Sequence, residues 1–178
     1  MSEQQLIIRA VRVNEVAVVL KFIRELAKYE RHEHEVVDTE ERLHQALFGE
    51  PRYCEVVLAC VGEEPVGFAL FFHNFSTFLG LPGIYLEDLF VTPSARGRGV
   101  GQRLFAWLAR ETVNRRCGRL DWSVLDWNEP AIRFYKTLGA TPMSEWGIFR
   151  LTGDALQRVA SECSGGFTGP AAASARPD

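Results

Sequence analysis

The sequence predicts an α/β protein in which a mixed, twisted sheet carries helices on both faces. Three observations predict it. Segments of strand-like and helix-like apolar rhythm follow one another in the order β α α β β β α β α β. A strand-like run, Tyr85-Leu-Glu-Asp-Leu-Phe-Val91, leads through a glycine-rich turn into an apolar helical pattern that starts at Leu104. The 178 residues, 47% hydrophobic and 24% charged, suffice for a sizeable core, so a single domain over residues 4–160 is expected.

Leu6 to Val13 alternates loosely and reads as an edge strand. Asn14 is then placed to cap a helix that runs to about Tyr29, with Val16, Val19, Leu20, Ile23, Leu26 and Ala27 on one face. After a polar, histidine-rich segment, Asp38 and Glu41 are spaced like a capping box for a short second helix, and Gly49 follows its end. Tyr53 to Val61 and Val66 to His73 are β-rich runs joined by Gly62-Glu-Glu-Pro65, a hairpin signal. Asn74 to Gly83 reads as a loop, and its Phe75, Phe78 and Leu79 either line a pocket mouth or pack back on the sheet.

The strand through Tyr85 to Val91 follows, then a helix from about Gly99 to Asn114 with Leu104, Phe105, Leu108 and Val113 toward the core. Leu120, Trp122 and Val124 alternate with Asp121 and Ser123, which predicts a strand over residues 119–125. Asn128 as cap and Pro130 in the first turn start a helix that Gly139 ends. One or two last strands are expected between Thr141 and Leu151 around Gly147, and a terminal helix from Asp154 to Ala160. Residues 164–178, rich in Gly, Ala, Ser and Pro, read as a flexible tail.

Composition narrows the function classes. No basic start followed by an apolar run opens the chain, and the longest apolar stretch, Val56 to Val61, is too short to span a bilayer, so a cytoplasmic protein off the membrane is expected. Cys54, Cys60, Cys117 and Cys163 lack metal-ligand spacing and read as reduced thiols; His32, His34 and His44 read as solvated. Neither a metal nor a disulfide is expected. Charge is segregated: Glu25 to Glu50 holds eight acids against three bases, while Ala95 to Arg119 holds seven arginines against Glu111 alone. Such polarity suits a phosphate-rich ligand at one end of a site and a cationic amine at the other; solvated helix faces are the alternative. The net charge of −3 works against a nucleic-acid partner.

The most informative stretch is Arg96-Gly97-Arg98-Gly99-Val100-Gly101-Gln102. Glycines between a strand and a helix leave backbone N–H groups unobstructed, which is a cradle for phosphate. The nucleoside triphosphatase loop requires a lysine that is absent here, and the dinucleotide pattern requires a glycine where Gln102 stands. What remains, Arg-x-x-Gly-x-Gly, resembles the acetyl-CoA pyrophosphate loop of the GNAT N-acetyltransferase superfamily. Three further pieces accompany it in order: Glu25-Leu-Ala-Lys-Tyr-Glu30, Tyr85 to Val91, and Trp127-Asn-Glu-Pro-Ala-Ile-Arg-Phe-Tyr135-Lys-x-x-Gly-Ala140. Together they are similar to the diamine acetyltransferase branch, the spermidine/spermine and thialysine acetyltransferases, over roughly residues 6–160.

The resemblance implies a GNAT-like, mostly antiparallel sheet, acetyl-CoA as acetyl donor, a small amine as acceptor, and a homodimer. It also implies residue roles. Glu87 matches a general base and Tyr135 a general acid that protonates the departing thiolate. Leu89, Phe90 and Val91 match backbone contacts to the pantetheine arm. Arg96, Gly97, Arg98, Gly99, Val100, Gly101 and Gln102 match the pyrophosphate site, and Asn128, Pro130, Ala131, Tyr135 and Lys136 match further cofactor contacts. Tyr29, Glu30, Glu87, Asp88 and Trp146 match positions that contact the amine.

The residues themselves suit these roles. Alkylammonium groups hold their proton up to about pH 10.4 and must lose it before attacking a thioester, so a carboxylate in the cleft has work to do. Because adjacent strand residues face opposite sides, one of Glu87 and Asp88 should face that cleft. The bland reading of Glu87 is a solvated or arginine-paired carboxylate, and that of Tyr135 a core tyrosine. No cysteine stands in the motifs to carry an acyl group, which suggests direct transfer in a ternary complex. Where polyamine-binding relatives carry an acidic residue and a tryptophan, this chain has Ser76, Thr77 and Phe78, which shifts expectation toward a smaller, thialysine-like or diamine substrate. A non-catalytic acyl-CoA sensor on the same fold would need neither Glu87 nor Tyr135.

Overall fold

A computed structural model describes residues 5–162. Residue 4, Cys163 and the expected tail at 164–178 lie outside the described residues. The chain falls into two compact units, one ending at Ile132 and the other starting at Arg133.

The first unit is built on a five-stranded sheet in the order β1-β2-β3-β4-β5. The strands are β1 Leu6–Ala10, β2 Glu55–Val61, β3 Glu64–Ser76, β4 Leu81–Val91 and β5 Leu120–Trp122. The first four pair antiparallel, and β5 joins β4 in parallel. Its helices are α1 Val16–Glu30, α2 Glu40–Phe48, α3 Val100–Asn114 and the start of α4 Glu129–Thr137. The mixed, mostly antiparallel sheet is therefore as expected.

Alternating strand residues feed two apolar layers. Val56, Leu58, Cys60, Phe68, Leu70 and Phe90 pack against Val16, Val19, Leu20, Phe22 and Leu26 of α1 and Leu43 and Leu47 of α2. Phe22, absent from the expected apolar face, lies at its centre, its ring 5.8 Å from those of Phe68 and Phe90. Burying one such ring contributes about 2–3 kcal/mol. On the opposite face α3 covers the sheet, with Trp107 against Phe71 and Phe105 against Trp122.

Several local expectations are corrected. Asn14 is not a cap: it sits inside a 3-10 turn, Val13–Glu15, and the Arg12 N–H is taken at 2.8 Å by the carboxylate of Glu15, itself held by Arg9. In α2 the cap is Thr39, whose hydroxyl accepts the Arg42 N–H at 3.2 Å; Asp38 instead accepts the Thr39 N–H. The supposed loop from Asn74 to Gly83 is mostly ladder, with Asn74 opposite Gly83 and Ser76 opposite Leu81. Gly83 permits this because a Cβ there would stand 2.2 Å from Asn74 Oδ1. Phe75, Phe78 and Leu79 are exposed near the hairpin tip. Val113 is exposed and Thr112 buried, because Thr112 continues the four-residue spacing of Leu104 and Leu108 and donates its hydroxyl to the Leu108 carbonyl at 2.8 Å.

The second unit holds the end of α4 and helix α5, Gly153–Glu162. The strands expected between Thr141 and Leu151 are not formed among the described residues. Trp146 and Ile148 fall on one parity and Phe149 and Leu151 on the other, so no strand register would bury them all on one face.

Candidate active site

The site begins with an irregularity in β4. Leu70 lies opposite Asp88 but the next residue, Phe71, lies opposite Leu86, so Glu87 has no cross-strand partner. It is the extra residue of a β-bulge. Residues directly opposite one another share a face, so Asp88 stands beside Leu70 on the α1 side, whereas Leu86 goes with Phe71 toward α3. The bulge replaces the simple alternation expected for Glu87 and Asp88. Glu87 is exposed and Asp88 half-buried.

On that side Asp88 meets the C-terminal end of α1. Burial, then the charges of Glu87 and Glu30, push its carboxyl up to about 7. Glu30, the last residue of α1, is raised as well, by burial, with His32 partly opposing. Neither the Asp88 nor the Glu30 side chain makes a hydrogen bond or ion pair to another described residue. Asp88 thus meets two further carboxylates, with no lysine or arginine paired to any of the three among the described residues.

C-terminal to the bulge, β4 keeps its partner on one side only. Leu89, Phe90 and Val91 are paired with Ala69, Phe68 and Gly67 of β3, while the ladder to β5 covers only Ile84 to Leu86. The backbone beyond Leu86 is therefore splayed from β5. At the far end Gly97 and Gly99 adopt φ +74° and +76°, and a Cβ on either would meet nothing within 4 Å. Gly99 is the N-cap of α3 and no side chain caps that helix. An open, left-handed glycine turn ahead of an uncapped helix N-terminus fits a diphosphate, with Arg98, Val100, Gly101 and Gln102 alongside it. Arg96 is engaged elsewhere: its Nε donates to the Val91 carbonyl at 3.0 Å and its guanidinium lies over the rings of Tyr29 and Phe90 at 5.0 and 5.7 Å.

Tyr29 links this turn to the start of α4. Its hydroxyl donates to Asn128 Oδ1 at 3.2 Å, and the same oxygen accepts the Ala131 N–H at 3.4 Å, capping α4 ahead of Pro130. Trp127 packs 5.9 Å from Tyr29, under the guanidinium of Arg31. Neither Trp127 nor Arg31 is among the residues that the sequence assigns to the site. The signal for Trp127 was its place immediately before the Asn-Glu-Pro helix start.

In the second unit, Tyr135 is half-buried on α4 with its ring 5.4 Å from that of Phe134. Its carbonyl accepts the N–H groups of Leu138 and Ala140 around Gly139, whose φ of +83° ends the helix. Lys136 is exposed on the same helix, and Trp146 is exposed in a turn where its N–H donates to the Met143 carbonyl. The structure thus gathers Glu30, Glu87 and Asp88, and joins Tyr29 with Arg96 and Asn128. Tyr135, Lys136 and Trp146 belong to the second unit.

Residues 20–140 match the acetyltransferase (GNAT) family. A thialysine N-epsilon-acetyltransferase of Mus musculus is 34% identical over 164 residues, covering 86% of this chain and 96% of that protein. An L-ornithine N5-acetyltransferase of Arabidopsis thaliana is 45% identical over 93 residues, 52% of this chain and 41% of that one. Among solved structures, an integron cassette protein from the mobile metagenome of V. cholerae superposes with a TM-score of 0.73 at 30% identity, covering 87% of this chain and 97% of its own. On these grounds the chain belongs to the GNAT acetyltransferase family, whose members take their acetyl group from acetyl-CoA.

Proposed function

We propose that the protein moves the acetyl group of acetyl-CoA onto a primary amine of a small, thialysine-like or diamine substrate, directly and within a ternary complex. The chain is an acetyl-CoA-dependent amine N-acetyltransferase. The named relatives act on thialysine and on ornithine, both short molecules with two amines. The observation that carries the reading to this chain is the meeting of Glu30, Glu87 and Asp88 with no lysine or arginine paired to them among the described residues, beside an uncapped glycine turn. Acidic groups suit an ammonium, and free backbone N–H groups suit a diphosphate.

In this reading the N–H groups from Gly97 to Gln102 hold the diphosphate, and Arg98 adds charge at the turn. The backbone of Leu89 to Val91 receives the pantetheine arm along the splayed edge of β4. Asn128, Pro130, Ala131 and Lys136 supply further cofactor contacts, and Arg96 orients the turn against Tyr29. Acetyl-CoA supplies the activated thioester. Tyr29, Glu30 and Trp146 bind the amine together with the Glu87–Asp88 pair, which also takes its proton, and Tyr135 gives a proton to the sulfur. The protein works as a homodimer in the cytoplasm, as one domain over residues 4–160.

The test is incubation with acetyl-CoA and a panel containing thialysine, ornithine, short diamines and spermidine, following free thiol. Thiol release with the short dibasic amines is expected. Tight acetyl-CoA binding with no release across the panel would instead support a non-catalytic acyl-CoA module.

A further inference from the structure

We propose that Asp88, set against Glu30 by the bulge at Glu87, is the group that takes the proton from the incoming ammonium, and that the exposed Glu87 serves to anchor the substrate. This rests on the acetyltransferase reading above. It reverses the roles that family resemblance implies for the two carboxylates.

Geometry separates the pair. Glu87 occupies the unpaired bulge position and is exposed. Asp88 is fixed in the ladder opposite Leu70, on the side covered by α1. The titratable groups that face it are Glu30 from α1, Glu87 from its own strand, and the Cys54 thiol from the segment before β2. None is a cation. The C-terminal end of α1, where backbone carbonyls point, adds further negative potential. A half-buried carboxylate so surrounded lowers its energy by gaining either a proton or an ammonium, and the reaction offers it both.

Proton affinity favours the same residue. A carboxyl held at about 7 takes a proton from an ammonium far more readily than one in the ordinary range. The mismatch with an alkylammonium near pH 10.4 is roughly three powers of ten rather than six. The step balances as follows. The ammonium N–H bond breaks and its proton passes to an Asp88 oxygen, leaving a neutral amine. The nitrogen lone pair forms the new C–N bond at the thioester carbonyl, the C–S bond breaks with its pair going to sulfur, and the second nitrogen proton replaces the one Tyr135 gives to sulfur. Asp88 then returns its proton to solvent.

Two measurements test this. Carboxyl 13C NMR on the ligand-free protein should show Asp88 titrating with a midpoint near 7, and E30Q should lower that midpoint. The pH profile of kcat/KM for amine acetylation should lose its acidic limb in D88N, with a drop of about 10²-fold. E87Q should keep the limb and raise KM for the amine. An Asp88 midpoint in the ordinary carboxylate range, or loss of the limb in E87Q with its retention in D88N, overturns the assignment while leaving the acetyltransferase reading intact. Failure of the unaltered protein to release thiol with any amine overturns both.

Discussion

The ionisable residues of this chain pull its stability in opposite directions with pH. Asp88 is held at about 7 against an ordinary value of 3.8, so the folded state binds its proton more tightly than the unfolded chain does between those values. Stability is therefore lost as pH rises through that window. Asp88→Asn should be more stable than the parent above pH 7 by about 1–3 kcal/mol, with the gain vanishing near pH 4; denaturant midpoints across pH measure it. Glu15 behaves oppositely. Its bidentate bond to Arg9, at 2.6 and 2.8 Å, lowers its value, so its contribution is present at neutral pH and lost as pH falls below the ordinary glutamate range. Glu15→Gln should cost about 1–2 kcal/mol at pH 7 and progressively less as pH falls below the ordinary glutamate range. Tyr135 is a matter of rate. Replacing it with Phe keeps the ring's packing and removes only the hydroxyl, so kcat should fall by about 10²-fold with acetyl-CoA affinity nearly unchanged. Equal turnover by parent and variant would withdraw the proton-donor role.

Elements differ in how openly the sequence announces them, and the glycine turn and the bulge show why. Gly97 and Gly99 need positive φ, a demand written into single residues, and the turn with its following helix could be read directly from Arg96 to Gln102. Gly99→Ala meets no steric obstacle but must hold φ +76°, at a cost of about 1 kcal/mol or more. Distortion of the turn should weaken acetyl-CoA binding several-fold while thermal stability falls only slightly, which calorimetry resolves. The bulge at Glu87 was hidden, because it exists only in the register of β4 against β3 and no residue type marks it. The long hairpin was missed for the same reason: Gly83 looks like a loop residue until Asn74 is placed across from it. The cap of α2 lies one residue beyond Asp38 because Asp and Thr compete for the same role and only φ and ψ decide. Thr112 stayed hidden because its hydroxyl is satisfied within its own helix, so a polar residue could be buried at an apolar position.

At the scale of the whole molecule, charge and exposed apolar surface point to different partners. The arginine-rich run from Ala95 to Arg119 suits a phosphate-rich ligand by its sequence, yet Arg115 is paired with Glu55 and Glu111, Arg119 with Asp121, and Arg96 with the Val91 carbonyl. Only part of that charge remains to meet a phosphate. Besides the hairpin tip, exposed apolar surface gathers in the segment expected to form the last strands: Met143, Trp146, Ile148 and Phe149 are 65, 69, 78 and 97% exposed. So many large apolar side chains within seven residues exceed the scattered exposure usual on a monomer. A homodimer that packs this segment against its copy would bury those side chains together. Light scattering should then report twice the chain mass, and Phe149→Asp combined with Ile148→Asp should shift the protein to monomer while its circular dichroism stays that of the folded chain. If the double variant stays dimeric, the interface lies elsewhere; a parent that runs as a monomer at all concentrations removes the dimer itself.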